Sequence, residues 1–442
     1  MQENAGNELK KVLGIGFGIA VMIGGTIGVG ILRTPGTIAG LVGNYWLIIL
    51  CWVIGGTYVL LGAGPFAEMA TMMPKAGGPY NYVKRAFGEY AGFLAGWFDY
   101  IVNAIAPSYF CIVISEYVAL LFPVLKDFQA TMAVGFLLVL VLLHAGGIKN
   151  GSIAQQVTSI LKVVFFSALI VSCFMVKVDT THAIQHSTVL KSGILIGFLR
   201  SMQMITGTYD GWWSVCFFAE EDKNPSKNIP RSLFTGGIMV TAIYILLNLA
   251  IFHVVPISTL ANSSLAASDA ATVVFGPSGG TFVIVLAIVS LISILNAYMM
   301  IPSRILFGLS RDGFFVKQGA IVNRGGTPMV ALIISSIISL ILILGGTFEQ
   351  LFTLASFMVV VVMGLSFAAH IKLRVSEPDM PRPYRAWGYP WTSIIVILIS
   401  VALFIGFAIG DRYNLILILI TGAVTYPAYL LVKKRNGQRF VG

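Results

Sequence analysis

Two of the long apolar runs in this chain are broken by glycine clusters, one early and one near the middle. The first reads Gly24-Gly25-Thr26-Ile27-Gly28-Val29-Gly30-Ile31, and the second reads Thr206-Gly207-Thr208-Tyr209-Asp210-Gly211-Trp212. Backbone that faces lipid must satisfy its own hydrogen bonds. A helix therefore unwinds in a membrane only where protein or a water-filled cavity supplies partners. Paired interruptions in two halves of a chain point to a transporter's substrate site. The breaks predict a secondary transporter with its binding pocket between them.

Composition makes lipid the solvent. The chain is 57% hydrophobic and 10% charged, against roughly 25% charged in a soluble domain, and its mean hydropathy is +0.88. The formal net charge of +10 would suit nucleic acid, but its distribution argues for a membrane instead. About twenty of the 28 Lys and Arg, from Lys10 and Lys11 to the tail Lys433, Lys434, Arg435 and Arg439, fall in loops on one side of the expected spans. About five (Arg33, Lys126, Lys177, Lys191 and Arg412) fall on the other. This is the positive-inside bias, and it predicts a multi-pass protein of the plasma membrane with both termini cytoplasmic. Cys51, Cys111, Cys173 and Cys216 all lie in apolar segments, as buried thiols rather than a disulfide framework would. Lys10-Lys11 and the following run are expected to form a retained first helix rather than a signal peptide, since Arg33-Thr34-Pro35 offers no small-residue cleavage site.

A span needs about 20 apolar residues. That rule gives about twelve, at 12–32, 45–73, 90–122, 129–147, 153–177, 193–219, 232–255, 279–311, 327–345, 350–373, 391–410 and 413–432. Long connections follow the second and seventh spans: the Gly77-Gly78-Pro79 stretch with an amphipathic segment, and the small-residue stretch Ser258 to Gly276. Each comes after the second span of a five-span unit. An odd number of spans makes two such units point in opposite directions. The expected fold is thus an all-α membrane protein in one transporter domain. Residues 12–177 and 193–373 form a five-plus-five inverted repeat, the first and sixth helices are unwound, and 391–432 supplies two appended helices.

The candidate site follows from the breaks. Gly28 and Gly30 allow backbone angles that other residues resist, and unwinding frees N–H groups suited to a carboxylate. Gly14 with Gly18, and Gly24 with Gly28, keep small-xxx-small spacing, and Gly14, Gly18 and Gly24 are assigned to helix packing. In the second break, Gly207 and Gly211 bracket Tyr209 and Asp210. A carboxylate at membrane depth is expensive and usually functional. Two roles fit Asp210: bracing loose N–H groups, or facing a substrate amine or a proton. Thr26, Ile27, Val29 and Thr208 complete the expected pocket. Lys162 lies mid-span, too deep to snorkel, and an internal ammonium there can stand in for a bound cation. Arg200, in span 6, suits either a vestibule or a snorkelling position. His182 and His186 lack a third ligand, so no metal is expected, and no nucleophile constellation suggests an enzyme.

With these residues in place the chain resembles the amino-acid/polyamine/organocation transporters, and most of all their L-amino-acid branch, over nearly its whole length. Gly28-Val29-Gly30-Ile31-Leu32 is similar to the family's G-S-G-I-F signature. Ala67-Glu68 through Ala76-Gly77-Gly78 resembles the end of family helix 2, and Tyr209-Asp210-Gly211-Trp212 with Glu220-Glu221 and Lys223-Asn224-Pro225 resembles helix 6 and its exit. Ser303-Arg304, Gly308 and Arg311-Asp312-Gly313 resemble the end of helix 8. The resemblance implies a LeuT-like fold, substrate carboxylate on the Gly28–Gly30 backbone, and substrate amine on carbonyls of both breaks. It also implies Lys162 in place of sodium and a substrate-linked tyrosine at Tyr244. No cofactor is implied. The expected partners are an amino acid, membrane lipid and, for a symporter, protons.

Two departures bear on specificity. Val29 replaces the usual serine, and Gly207 stands where the family often has a bulky aromatic gate, which leaves room for a larger side chain. The loop around Pro123-Val124-Leu125-Lys126-Asp127 has no cysteine, so no disulfide-linked glycoprotein subunit is expected. The leading expectation is a sodium-independent amino-acid exchanger or proton symporter. A polyamine carrier would want acidic residues beyond Asp210, and a non-transporting nutrient receptor would bind without flux.

Overall fold

The computed structural model describes residues 8–177, 194–263, 265–345, 348–410 and 412–437. His182, His186 and Lys191 lie outside them. The described residues form helices and no strands. In chain order the helices are α1 (Ile15–Thr26), α2 (Gly30–Val42), α3 (Tyr45–Met72), α4 (Pro79–Phe87), α5 (Glu89–Leu121) and α6 (Gln129–Ala145). Next come α7 (Ile148–Met175), α8 (Ile194–Thr208), α9 (Pro225–Val254), α10 (Ile257–Leu260), α11 (Ala266–Phe275) and α12 (Gly279–Arg311). The last are α13 (Met329–Gly345), α14 (Phe348–Ser376), α15 (Trp391–Gly410) and α16 (Arg412–Gly437).

Among the described residues, nine helices are long and apolar enough to cross a membrane, and ten if α1 and α2, bent by 43° at their break, count as one span. The other two of the twelve expected segments are shorter helices. The α13 helix has 17 residues, and α8 has 15 before its chain leaves helical geometry at the second break. The first span also runs further than expected, because α2 carries it on to Val42. There Gly43 takes a left-handed conformation (φ 62°) that closes α2, and the Asn44 side chain accepts the Leu47 N–H at 3.0 Å to start α3. Both long connections contain helix: one holds α4 and the other α10 and α11.

The α1 helix sits at the centre, packed against α7, α9 and α12. Its small residues explain why. A Cβ on Gly18 would lie 2.2 Å from Ser232 Oγ of α9, and one on Gly24 only 1.8 Å from Gln155 Nε2 of α7 and 2.7 Å from Ser293 Oγ of α12. Gly14 does not share this packing role: nothing lies within 4 Å of its Cβ position, because it precedes the helix.

The face that carries Glu220, Glu221 and the end of α12 is closed by ion pairs. Arg304 and Glu221 form a buried bidentate pair at 3.0 and 3.1 Å. Arg311 grips Glu220 at 2.7 and 2.9 Å, and Glu220 also accepts the Ala76 N–H at 2.8 Å. Lys84 of α4 reaches Asp312 at 2.8 Å, and Tyr80 donates its hydroxyl to the same carboxylate. Desolvation and the Asp312 charge both raise the Tyr80 pKa, which keeps that hydroxyl a donor. Nearby, Glu68 at the end of α3 is fully buried. It meets Arg374 of α14 at 2.6 Å, Arg382 at 2.9 Å and the Ala386 N–H at 2.7 Å. A buried carboxylate is tolerable only with such partners.

Candidate functional site

The first break comes from residues that cannot continue α1. Ile27 turns to an extended conformation (φ −76°, ψ 105°), and its N–H makes the last bond of α1, to Ile23 O. Regular helix resumes at Gly30, with no side chain capping the new N-terminus. Leu32 and Arg33 in the first turn of α2 return their N–H groups to Val29 O at 3.0 and 3.3 Å, and a helix start leaves the N–H groups before them without an intrahelical carbonyl. The end of α1 presents the complementary carbonyls. Lys162, fully buried on α7, donates its ammonium to Gly24 O at 3.0 Å and to Ile27 O. The amine is tolerated there because it fills acceptors that the break exposes.

Beneath the lysine lies a polar layer between α1, α7 and α12. Ser159 Oγ donates to Ala20 O at 2.7 Å, Gln155 Nε2 reaches the same carbonyl at 3.3 Å, and Asn296 donates to Gln155 Oε1 at 2.7 Å. Sequence reading did not single out these three side chains. Their signal was polar residues recurring one helical turn apart in an apolar span, as Gln155, Ser159 and Lys162 do.

The second break touches the first at two points. Gly211 has φ 90°, and a Cβ on it would stand 2.5 Å from Gly25 O, so only glycine fits. A Cβ on Gly30 would come within 3.1 Å of Thr208 Oγ1, which in turn pairs with Thr34 Oγ1 at 3.2 Å. Tyr244, fully buried on α9, bridges the breaks: its hydroxyl lies 3.1 Å from Thr26 O and 2.9 Å from Thr208 O. Tyr209 packs its ring on Tyr244 at 4.8 Å and donates to Trp52 O at 3.2 Å.

The remaining expected residues fall around this contact. Gly28 is buried with Ile294 Cδ1 2.7 Å from its Cβ position, and Val29 is half-buried. Gly207 is exposed with nothing within 4 Å of its Cβ position. Asp210 lines a small cavity of about 30 Å³ with Tyr58, Thr206 and Trp212 of the centre, and with Met363 and Ser400 of α14 and α15. That volume suffices for a water molecule. Arg200 is exposed on α8, away from the contact between the breaks.

One carboxylate went unnoticed in the sequence. Asp99 of α5 is 3% exposed, and one of its oxygens has no hydrogen-bond partner. The signal was available, since Asp99 interrupts an apolar run much as Asp210 does. Among the described residues, no group of three or more His, Cys, Asp or Glu is placed to hold a metal.

Comparison with known proteins places the chain in a family. Residues 18–426 match the amino acid permease family. The serine/threonine exchanger SteT of Bacillus subtilis is 29% identical over 98% of this chain and 99% of its own length. The b(0,+)-type amino acid transporter 1 of Mus musculus is 27% identical over 98% of this chain and 90% of its own. The human large neutral amino acids transporter small subunit 2 is 26% identical, covering 86% and 73% of the two chains.

Proposed function

The chain belongs to the amino acid permease family, and we propose that it is a sodium-independent secondary transporter of amino acids, an exchanger or proton symporter that works by alternating access. The family and its relatives are transporters, not enzymes. The observation that carries the finer reading is the contact between the two helix breaks, with the Lys162 ammonium held on the carbonyls of the first.

In this reading the substrate carboxylate sits on the N–H groups of the Gly28–Gly30 turn, and its ammonium on carbonyls of the two breaks. Lys162 supplies in covalent form the positive charge that a sodium ion would otherwise bring. Tyr244 senses both breaks through one hydroxyl. The open space at Gly207 admits a larger substrate side chain. Residues 12–177 and 193–373 act as inverted halves around this centre, with 391–432 appended. The ion-paired face carries the basic loops, which makes it the cytoplasmic gate, with both termini on that side of the plasma membrane. All four cysteines are buried, which supports a reading without a disulfide-linked subunit.

The test is uptake of labelled amino acids into proteoliposomes, with or without amino acid inside and with or without a pH gradient. Uptake that needs internal amino acid identifies an exchanger, and uptake into empty vesicles under an inward proton gradient identifies a symporter. Binding without flux in any condition would overturn the transport reading in favour of a receptor.

A further inference from the structure

We infer that Asp99 carries a proton through the transport cycle, binding it on Oδ2. The inference rests on the transporter reading above and adds a coupling ion and its residence.

Asp99 lies in the apolar interior of α5, where Oδ1 accepts the Asn103 amide at 2.9 Å. Among the described residues, Oδ2 is sealed from solvent and has no hydrogen-bond partner. The titratable groups that face Asp99 are Tyr82 from α4, Tyr298 from α12 and Asp210 from the second break, and none of them is a cation. Among the described residues Asp99 forms no ion pair. Lys162 is committed elsewhere, to the carbonyls of Gly24 and Ile27. The contrast with Glu68 is direct. That carboxylate is equally buried, but two guanidinium groups and a backbone N–H hold it ionised. An ionised Asp99 would have one amide and no counter-charge, whereas a neutral carboxylic acid fits the same surroundings. A proton is also the one ligand that needs no additional volume at a packed, sealed oxygen.

The step balances simply. When the pathway opens on one side, water reaches Asp99, and an O–H bond forms on Oδ2 as hydronium gives up its proton and becomes water. Closure buries the neutral acid. Opening on the other side breaks that O–H bond and returns the proton to water as hydronium, and the carboxylate is protonated again when the pathway next opens to the first side.

The experiment compares wild type with Asp99→Asn and Asp99→Glu in proteoliposomes. Expected is loss of pH-gradient-driven accumulation in Asp99→Asn, with amino-acid exchange retained, and recovery of accumulation in Asp99→Glu. Infrared spectra of wild type at neutral pH should show a protonated-carboxyl stretch that Asp99→Asn lacks. Proton-driven accumulation surviving in Asp99→Asn overturns the inference. So does a wild type that exchanges amino acids indifferently to pH gradients, which leaves the transporter reading intact. If Asp99→Asn does not fold, a wild type without the protonated-carboxyl band overturns the inference by itself. A wild type with no amino-acid flux of any kind overturns both readings.

Discussion

At the scale of single residues, Lys162 is the group whose removal should cost most. Its side-chain amine donates to two carbonyls at the first break. Lost hydrogen bonds to a charged group weigh about 1.5–3 kcal/mol, and about 1.4 kcal/mol is tenfold in an equilibrium. Lys162→Ala is therefore expected to lower transport by roughly tenfold or more while the protein still elutes as a folded species; full activity would remove the role assigned to it. Gly207 tests the opposite property, space. Since nothing lies within 4 Å of its Cβ position, Gly207→Phe should fold normally and exclude bulky substrates first. An unchanged ranking in a competition assay with small and large amino acids would show that the open space is not the side-chain pocket. Of the residues around the centre, those flagged by glycine or by charge in an apolar run were legible. Asp99 was equally visible by that criterion but stood outside a break, and Gly14 was assigned to packing by spacing alone although its neighbour in space is open.

At the scale of elements, the breaks were readable because glycine is the only residue that serves several of these contacts, as at Gly211 against Gly25 O. How the breaks communicate was not readable. Tyr244 joins them from a third helix, α9, across sequence separations of 218 and 36 residues. A single hydroxyl proton cannot satisfy both carbonyls fully, so the bridge is shared and easily redistributed when either segment moves. Tyr244→Phe should leave the ring packing on Tyr209 and Trp52 in place and remove only the bridge. Stability is expected to fall by about 0.5–1.5 kcal/mol, with a larger proportional change in transport rate than in substrate affinity. Equal changes in both would indicate ordinary binding-site damage. The span count shows the limit of length as a signal, because α8 ends where the second break begins and so looks too short to cross.

At the scale of the whole molecule, the charged face is a set of unequal locks. Arg304 and Glu221 are almost fully buried, whereas Lys84 and Asp312 are about a third exposed. Breaking a buried pair by removing one partner costs about 3–5 kcal/mol, and an exposed pair is worth about 0–1 kcal/mol and is screened by salt. Arg304→Ala should therefore lower the melting temperature in detergent sharply, while Lys84→Ala should leave it nearly unchanged. Similar shifts for both would mean that burial does not set the strength of this closure. None of these pairs was legible in the sequence as a pair. Glu68 and Arg374 are 306 residues apart, and nothing local to either announces the other.

The central position of α1 has a consequence for how the protein is made. This helix is among the first segments to leave the ribosome, yet the surfaces that cover Gly24 belong to α7 and α12, and Ser293 is synthesised roughly 270 residues later. Until then the side of Gly24 that faces Ser293 has only lipid or provisional neighbours against it. The substrate centre is thus assembled late, from parts inserted early. A nascent chain stopped between α9 and α12 would already hold both breaks and Tyr244, but would lack the α12 surface that covers Gly24.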